Sequence, residues 1–479
     1  MHIGRRGAVA IVLAVAVLAG GGFFAARLNS GSSNASKNTT TTSSSTTTDA
    51  AATPTSAAAP AKPLNLDAKA TEGSTIARDP AATSVIANGE ADETPAFAAA
   101  MVAALAGTHR QADGPGGSPQ AVVYVPPGVH HIAKLTFPDN VRLEVDAAAV
   151  LEPVAAANAG QGGGKGKIEP LIEWDGKDSA APLRNVSLVG VGAHAGGIKT
   201  LAAPVEPGWD ISNSFTMNLD PRATNSSQQV AGVELLNVDG FLIQNLFSIQ
   251  NADQPSTAWP TSAKAVLVLR PRNDSPMSAP FLEPRNGKIL HHYNVNSPRG
   301  YGPNQIGGAD NVSLSGVYSR GGTALRLETD ATKNKPFGGE VSGLRADTIM
   351  GVNCNRAVSF APHAQANTDV QVRNVVARSC SEGVIESIDE KLGAANQGDF
   401  TNSSISTVDV IAGPDAQNPA NAGGGSNGAW AVGPSVSAYA RDKKATWNVD
   451  YSDLQCHGSF TKASDRITID GTPQVPRCT

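Results

Sequence analysis

Six segments of this chain repeat one design: a polar turn followed by a short strand of alternating apolar residues. They begin at Arg184, Gly240, Asn286, Asn311, Glu340 and Asp369. The last four starts lie 25 (311 − 286), 29 (340 − 311) and 29 (369 − 340) residues apart. A period in this range predicts a solenoid. No single copy can bury its apolar face, so the coils must stack. Helices of the usual length are missing between copies, which disfavours a sheet of alternating strands and helices. Composition agrees. With 49 Gly, 31 Pro and only 16% charged residues, the chain is turn-rich, and its 479 residues fit one long solenoid better than two or three domains. A net charge of −5 argues against a general nucleic-acid surface.

The N-terminus is built differently. Arg5 and Arg6 precede an uncharged run, residues 7–26. Twenty residues can span a bilayer, and a basic flank marks the cytoplasmic side. Residues 1–28 therefore read as a cleaved signal peptide or a retained membrane anchor, and in either case the rest is exported. Residues 29–62 are Ser, Thr, Ala, Asn and Pro with almost no large apolar side chains, a disordered tether. Residues 63–410 carry the solenoid. Residues 411–479, which contain a glycine-rich turn at 423–428, form a C-terminal extension or cap.

At the start of the ordered part, a polar loop at 88–94 leads into Pro95. Thr94 suits an N-cap and Pro95 a first helical residue. Phe97, Met101, Val102 and Leu105 predict the apolar stripe of a short helix. Strands follow at 121–125, 141–145 and from Ala148 on, the first running into Pro126-Pro127-Gly128. This order resembles the entrance of the pectin-lyase-like superfamily. The resemblance implies an all-β, right-handed single-stranded parallel β-helix, with an N-terminal helix capping its open apolar end.

Four cysteines in an exported chain suggest two disulfides. Cys354 and Cys380 are 26 residues, one coil, apart and share one phase: Val358 aligns with Val384 when they are matched. Stacked strands lie about 4.8 Å apart and bridged Cα atoms about 4.4–6.8 Å apart, so Cys354–Cys380 is expected. Cys456–Cys478 follows by elimination. None has zinc-type spacing.

The chemistry concentrates in residues 322–330. There Leu325 and Leu327 fall on one strand face, and Ala324, Arg326, Glu328 and Asp330 on the other. Glu328 and Asp330 have Cβ atoms roughly 6.5–7 Å apart. That leaves room for a water, as inverting glycosidases require. Mutual repulsion should raise one carboxyl pKa by on the order of 1–2 units. The bland alternative is a solvated face with an incidental ion pair. Stacking the coils brings more polar groups to this face. Leu325 aligns with Val358 and Leu327 with Phe360, which puts His363 beside Asp330. Gln305, 23 residues before Glu328 (328 − 305), falls near it on the previous coil. Glu386 and Asp389 lie one coil on. Arg326 either depresses the Glu328 pKa or contacts an anionic group of a glycan, and the second role is preferred. Arg299, Arg320 and Arg356 extend that anionic-glycan site.

The decapeptide Gly321-Gly322-Thr323-Ala324-Leu325-Arg326-Leu327-Glu328-Thr329-Asp330 resembles the active-site strand of the iota-carrageenases, glycoside hydrolase family 82. The resemblance covers residues 88–389. It implies Glu328 as general acid and Asp330 as general base of an inverting hydrolase of a sulfated or otherwise anionic galactan. It further implies that Gln305 holds the attacking water and that His363 assists the base or the sugar. No cofactor is expected, although a structural cation or anion is compatible. The expected partner is a polysaccharide, not nucleic acid. A membrane enters only through the N-terminal segment, and the expected state is a monomer. Two alternatives stand. A pectin-type enzyme on the same fold is one, but Asn367-Thr368-Asp369 is the sole polygalacturonase-like motif. The other is a non-catalytic glycan-binding adhesin, which the tether suits but which has no need of the Glu328/Asp330 pair.

Overall fold

The computed structural model describes residues 75–86, 89–154, 170–176, 181–194, 209–220, 230–250, 264–271, 283–297, 301–329, 339–380, 382–386, 398–411, 430–432, 449–457, 468–469 and 472–473, with backbone only at Glu382, Glu386 and beyond 411. Asp330, Arg299, Asp389 and Cys478 lie outside these residues, as do the apolar run 7–26, the tether and the side chain of Cys456. Among the described residues, no helix is long and apolar enough to cross a membrane.

The solenoid pairs strand to strand in parallel, each coil on the next. Long strands carry most of it: Val233–Ile249, Arg285–Ser297, Ala309–Gly321, Arg345–Val352, Gln371–Arg378 and Ser403–Ile411 stack in that order. A second series of short strands forms another wall. From the start of Val233–Ile249 it runs through Leu267–Leu269, Asn304–Ile306, Thr323–Glu328 and Arg356–Ala361 to Glu382–Glu386. The arrangement is a right-handed parallel β-helix.

Left-handed residues bend the coil at fixed phases. Gly240, Asn286, Asn311, Gly343, Asp369 and Asn402 all have positive φ and stack on one another. Gly and Asn tolerate that region best, because a Cβ there crowds the following carbonyl. The corner after Asn311 is therefore Gly343, not the polar Glu340 three residues earlier. The true steps are 32 (343 − 311) and 26 (369 − 343). A second left-handed column, Asn245, His291, Gly316, Thr348, Asn374 and Thr407, bends each long strand.

Inside the coils the side chains form ladders. Leu325 and Leu327 are fully buried, stacked on Val358 and Phe360. At roughly 25 cal/mol per Å² such ladders supply the main drive for stacking. The helix is Thr94–Ala106. Glu93 occupies its N-cap position, and Pro95 sits in its first turn. Thr94 Oγ1 does not cap the helix; it accepts from the Ala133 N–H at 2.9 Å. The helix buries Phe97, Ala100, Met101 and Ala104, whereas Val102 is 67% exposed. At about 100° per residue, Ala100 and Ala104 share the face of Phe97 and Met101, and Val102 turns away from it.

Cys354 and Cys380 are bridged, with Cα atoms 4.4 Å apart. Gly351 makes room for the bridge, since a Cβ there would stand 2.7 Å from Cys354 Sγ. Val449–His457 pairs in parallel with Ser403–Ile411, so strand stacking continues beyond residue 410.

Candidate active site

Pairing along the short-strand wall aligns an outward column: Glu173, Glu234, Val268, Gln305, Arg326 and Ser359. The neighbouring outward position holds Glu328, paired with Ala361. Gly307 precedes Glu328 in that stack, because Ile306 pairs with Leu327. With no side chain there, the wall opens into a cavity of about 370 Å³. Glu234, Lys264, Arg270, Tyr301, Gln305, Arg326, Glu328 and His363 line it.

Glu328 sits at the centre. Its Oε2 accepts from Arg326 Nε and, at 3.5 Å, from Gln305 Nε2. Its Oε1 accepts from His363 Nε2 at 3.3 Å. The guanidinium of Arg326 also lies over the Tyr301 ring, 4.6 Å from its centroid, a cation–π contact that fixes its plane. Burial alone would push the Glu328 carboxyl up. The His363 hydrogen bond and the Arg326 charge override it and bring the pKa down to about 2. The shift at Glu328 is thus downward, not upward, and Arg326 is engaged with the carboxylate.

The segment beyond Glu328 is tied down before it leaves the wall. Thr329 is fully buried, its N–H donates to Ala361 O at 3.2 Å, and its hydroxyl donates to Pro362 O. Thr329 is the last residue of this stretch that the structure describes.

The other sequence candidates divide. Gln305 and His363 converge on Glu328, although the backbone partner of Gln305 is Arg326. Arg320 stacks between Val295 and Val352 in the long-strand wall, away from the cavity. Arg356 pairs with Thr323 at the start of its strand and does not line the cavity. The backbone of Glu386 pairs with that of Phe360. Arg299 and Asp389 lie outside the described residues.

Sequence reasoning missed three features. Tyr301 stacks on Arg326. Glu234 pairs with Arg270, Oε1 to Nε, across the far side of the cavity. Beneath Gln305 lies a buried polar network. Asn304, in the inward column between Leu267 and Leu325, accepts from His292 Nδ1 at 3.1 Å. His292 Nε2 accepts from Ser248 Oγ at 3.1 Å, and Asn294 Nδ2 donates to Ser248 Oγ at 2.7 Å. The adjacent His291-His292 pair was the available signal, since it breaks an otherwise apolar alternation. Among the described residues, no group of three or more His, Cys, Asp or Glu is placed to hold a metal ion.

Fold and site together define a right-handed parallel β-helix of the pectin-lyase-like type, with a carboxylate-centred cleft on one outer wall. No protein-family model matches the chain. Two curated proteins do: an iota-carrageenase of Alteromonas macleodii, 30% identical over 263 residues (54% of this chain, 44% of that one), and one of Zobellia galactanivorans, 27% identical over 265 residues (55% and 45%). Among solved structures, a hydrolase of galactose-4-sulfate and 3,6-anhydrogalactose-2-sulfate units superposes with a TM-score of 0.59 at 20% identity, covering 85% of this chain and 94% of that one. An iota-carrageenase solved with iota-carrageenan fragments gives 0.55 at 19% identity, covering 80% and 91%. The chain is a relative of the iota-carrageenases, and it spans about half the length of the curated relatives it matches.

Proposed function

We propose that this chain is an exported glycoside hydrolase that cleaves a sulfated or otherwise anionic galactan by a single displacement with water. One observation carries the reading. The carboxyl of Glu328 stands in a cleft between Arg326, His363 and Gln305, on a strand whose sequence places a second carboxylate two residues on. The kinship with iota-carrageenases supports the choice of glycan.

In this reading, protonated Glu328 gives its proton to the glycosidic oxygen as the bond to the anomeric carbon breaks. Asp330 takes a proton from a water, and that water attacks the same carbon from the opposite face. Gln305 orients the water, and His363 contacts the sugar or the base. Arg270 and Lys264 on the far wall supply positive charge to the cleft. Residues 1–28 direct export. The test is reducing-end release from a panel of carrageenans, agar and pectins. Release from a carrageenan, lost in Glu328→Gln, is expected. Release from pectin alone would overturn the proposal.

A further inference from the structure

An acid must hold a proton, and the surroundings of Glu328 as it stands favour its ionised form. Oε2 faces the Arg326 guanidinium and Oε1 the His363 Nε2. The permanent charge of the guanidinium favours the ionised carboxyl, and withdrawing that charge favours the protonated one. His363 reaches in from the following coil at 3.3 Å. Arg326 makes the closer contact and carries the permanent charge.

Arg326 and His363 both line the cavity, with 19% and 22% of their side chains exposed. Of the two, Arg326 carries the permanent charge, and it rests on Tyr301, a flat surface along which a guanidinium can slide. Among the described residues, the other charged and titratable groups facing this space are Glu234, Arg270 and Lys264, with Tyr301 itself. Glu234 is already paired with Arg270.

We propose that Arg326 gates the acid: an anionic group of the bound glycan draws the guanidinium off Glu328, and only then does Glu328 take a proton from solvent. This deepens, and rests on, the hydrolase reading above. The balance is simple. One ion pair, Arg326 with Glu328, is exchanged for another, Arg326 with the glycan anion. One proton moves from water to Glu328, which later passes it to the glycosidic oxygen. A neutral glycan of the same shape would leave the gate shut, so the anionic group acts on turnover and not on affinity alone. Burial, which favours the neutral carboxyl, then works for the acid.

Calorimetric titration in buffers of different ionisation enthalpy reads the proton directly. The probes are a sulfated and a neutral galactan tetrasaccharide, used with Asp330→Asn protein so that the sugar is not cut. At pH 5, the sulfated sugar should bind with uptake of roughly half a proton or more per molecule. The neutral sugar should bind with none. Arg326→Gln should bind the sulfated sugar more weakly and lose most of the uptake. Binding of the sulfated sugar to Arg326-containing protein without uptake would overturn the gate and leave the hydrolase reading intact. Equal uptake in Arg326→Gln would do the same. Absence of binding to either sugar would overturn both. If Arg326→Gln fails to fold, the contrast between the two sugars on Arg326-containing protein decides the matter.

Discussion

Replacing His292 should flatten the acid limb of the stability curve. The ring is fully buried and spans the coil interior between Asn304 and Ser248. Burial pushes its pKa from 6.5 down to about 4, against the opposing effect of the hydrogen bond that Nδ1 donates to Asn304. As pH falls, the unfolded chain therefore protonates first, near 6.5, and the native state only near 4. The stability contributed by the neutral ring is complete above 6.5 and is lost progressively toward 4. A shift of 2.5 units (6.5 − 4) at 1.36 kcal/mol each is about 3 kcal/mol. The assay is urea unfolding at pH 7, 6, 5 and 4 for the natural sequence and for His292→Leu. At pH 7 the variant should be weaker by on the order of 1–3 kcal/mol, because Asn304 and Ser248 lose their shared partner. That gap should close by about 3 kcal/mol on reaching pH 4. Glu283 acts in the opposite sense. Burial, with Glu340 and Asp310 nearby, raises it to about 7, so its contribution is lost as pH rises from 4.5 to 7. It is common to both proteins and cancels in the difference. A gap that stays constant from pH 7 to 4 would refute the reasoning.

Three further outcomes are expected. Glu328→Gln and Asp330→Asn should each lower kcat by at least about 10²-fold with an unchanged circular dichroism spectrum; full activity in either would remove that residue from the mechanism. Removing the bridge with Cys354→Ala and Cys380→Ala should cost on the order of 3 kcal/mol, since it closes a 26-residue loop, and an unchanged unfolding midpoint would show that the coil needs no such constraint. Raising salt should increase KM for a sulfated galactan and not for a neutral one, and a parallel response of the two would count against an electrostatic site.

The coil architecture was legible because its signals are local. Turn residues recur at one phase, and Leu325 and Leu327 alternate with Arg326 and Glu328, so the register to Val358 and Phe360 follows. The disulfide was legible for the same reason. Where chemistry did not mark phase, the reading slipped. Glu340 looked like a turn because it is polar, but the corner needs a left-handed residue and takes Gly343. Val102 looked like core because it is apolar, yet helical phase turns it outward. At the site, the approach of Gln305 to Glu328 followed from coil length. The engagement of Arg326 with Glu328 did not, because two side chains on one strand face can meet each other or a ligand, and only their rotamers decide. The His292 network was the least legible part. Inward polar residues violate the pattern by which inward positions are recognised, and their partners lie on different coils.

The configuration of the first sugar released tests the central claim most directly. Proton NMR of a sulfated galactan digest, recorded before mutarotation, distinguishes the two anomers at the new reducing end. Action of Glu328 as acid and Asp330 as base on water predicts the anomer opposite to that of the cleaved linkage, and no product from Glu328→Gln. A first product with retained configuration, or a sulfated galactan left uncut by active protein, would contradict it.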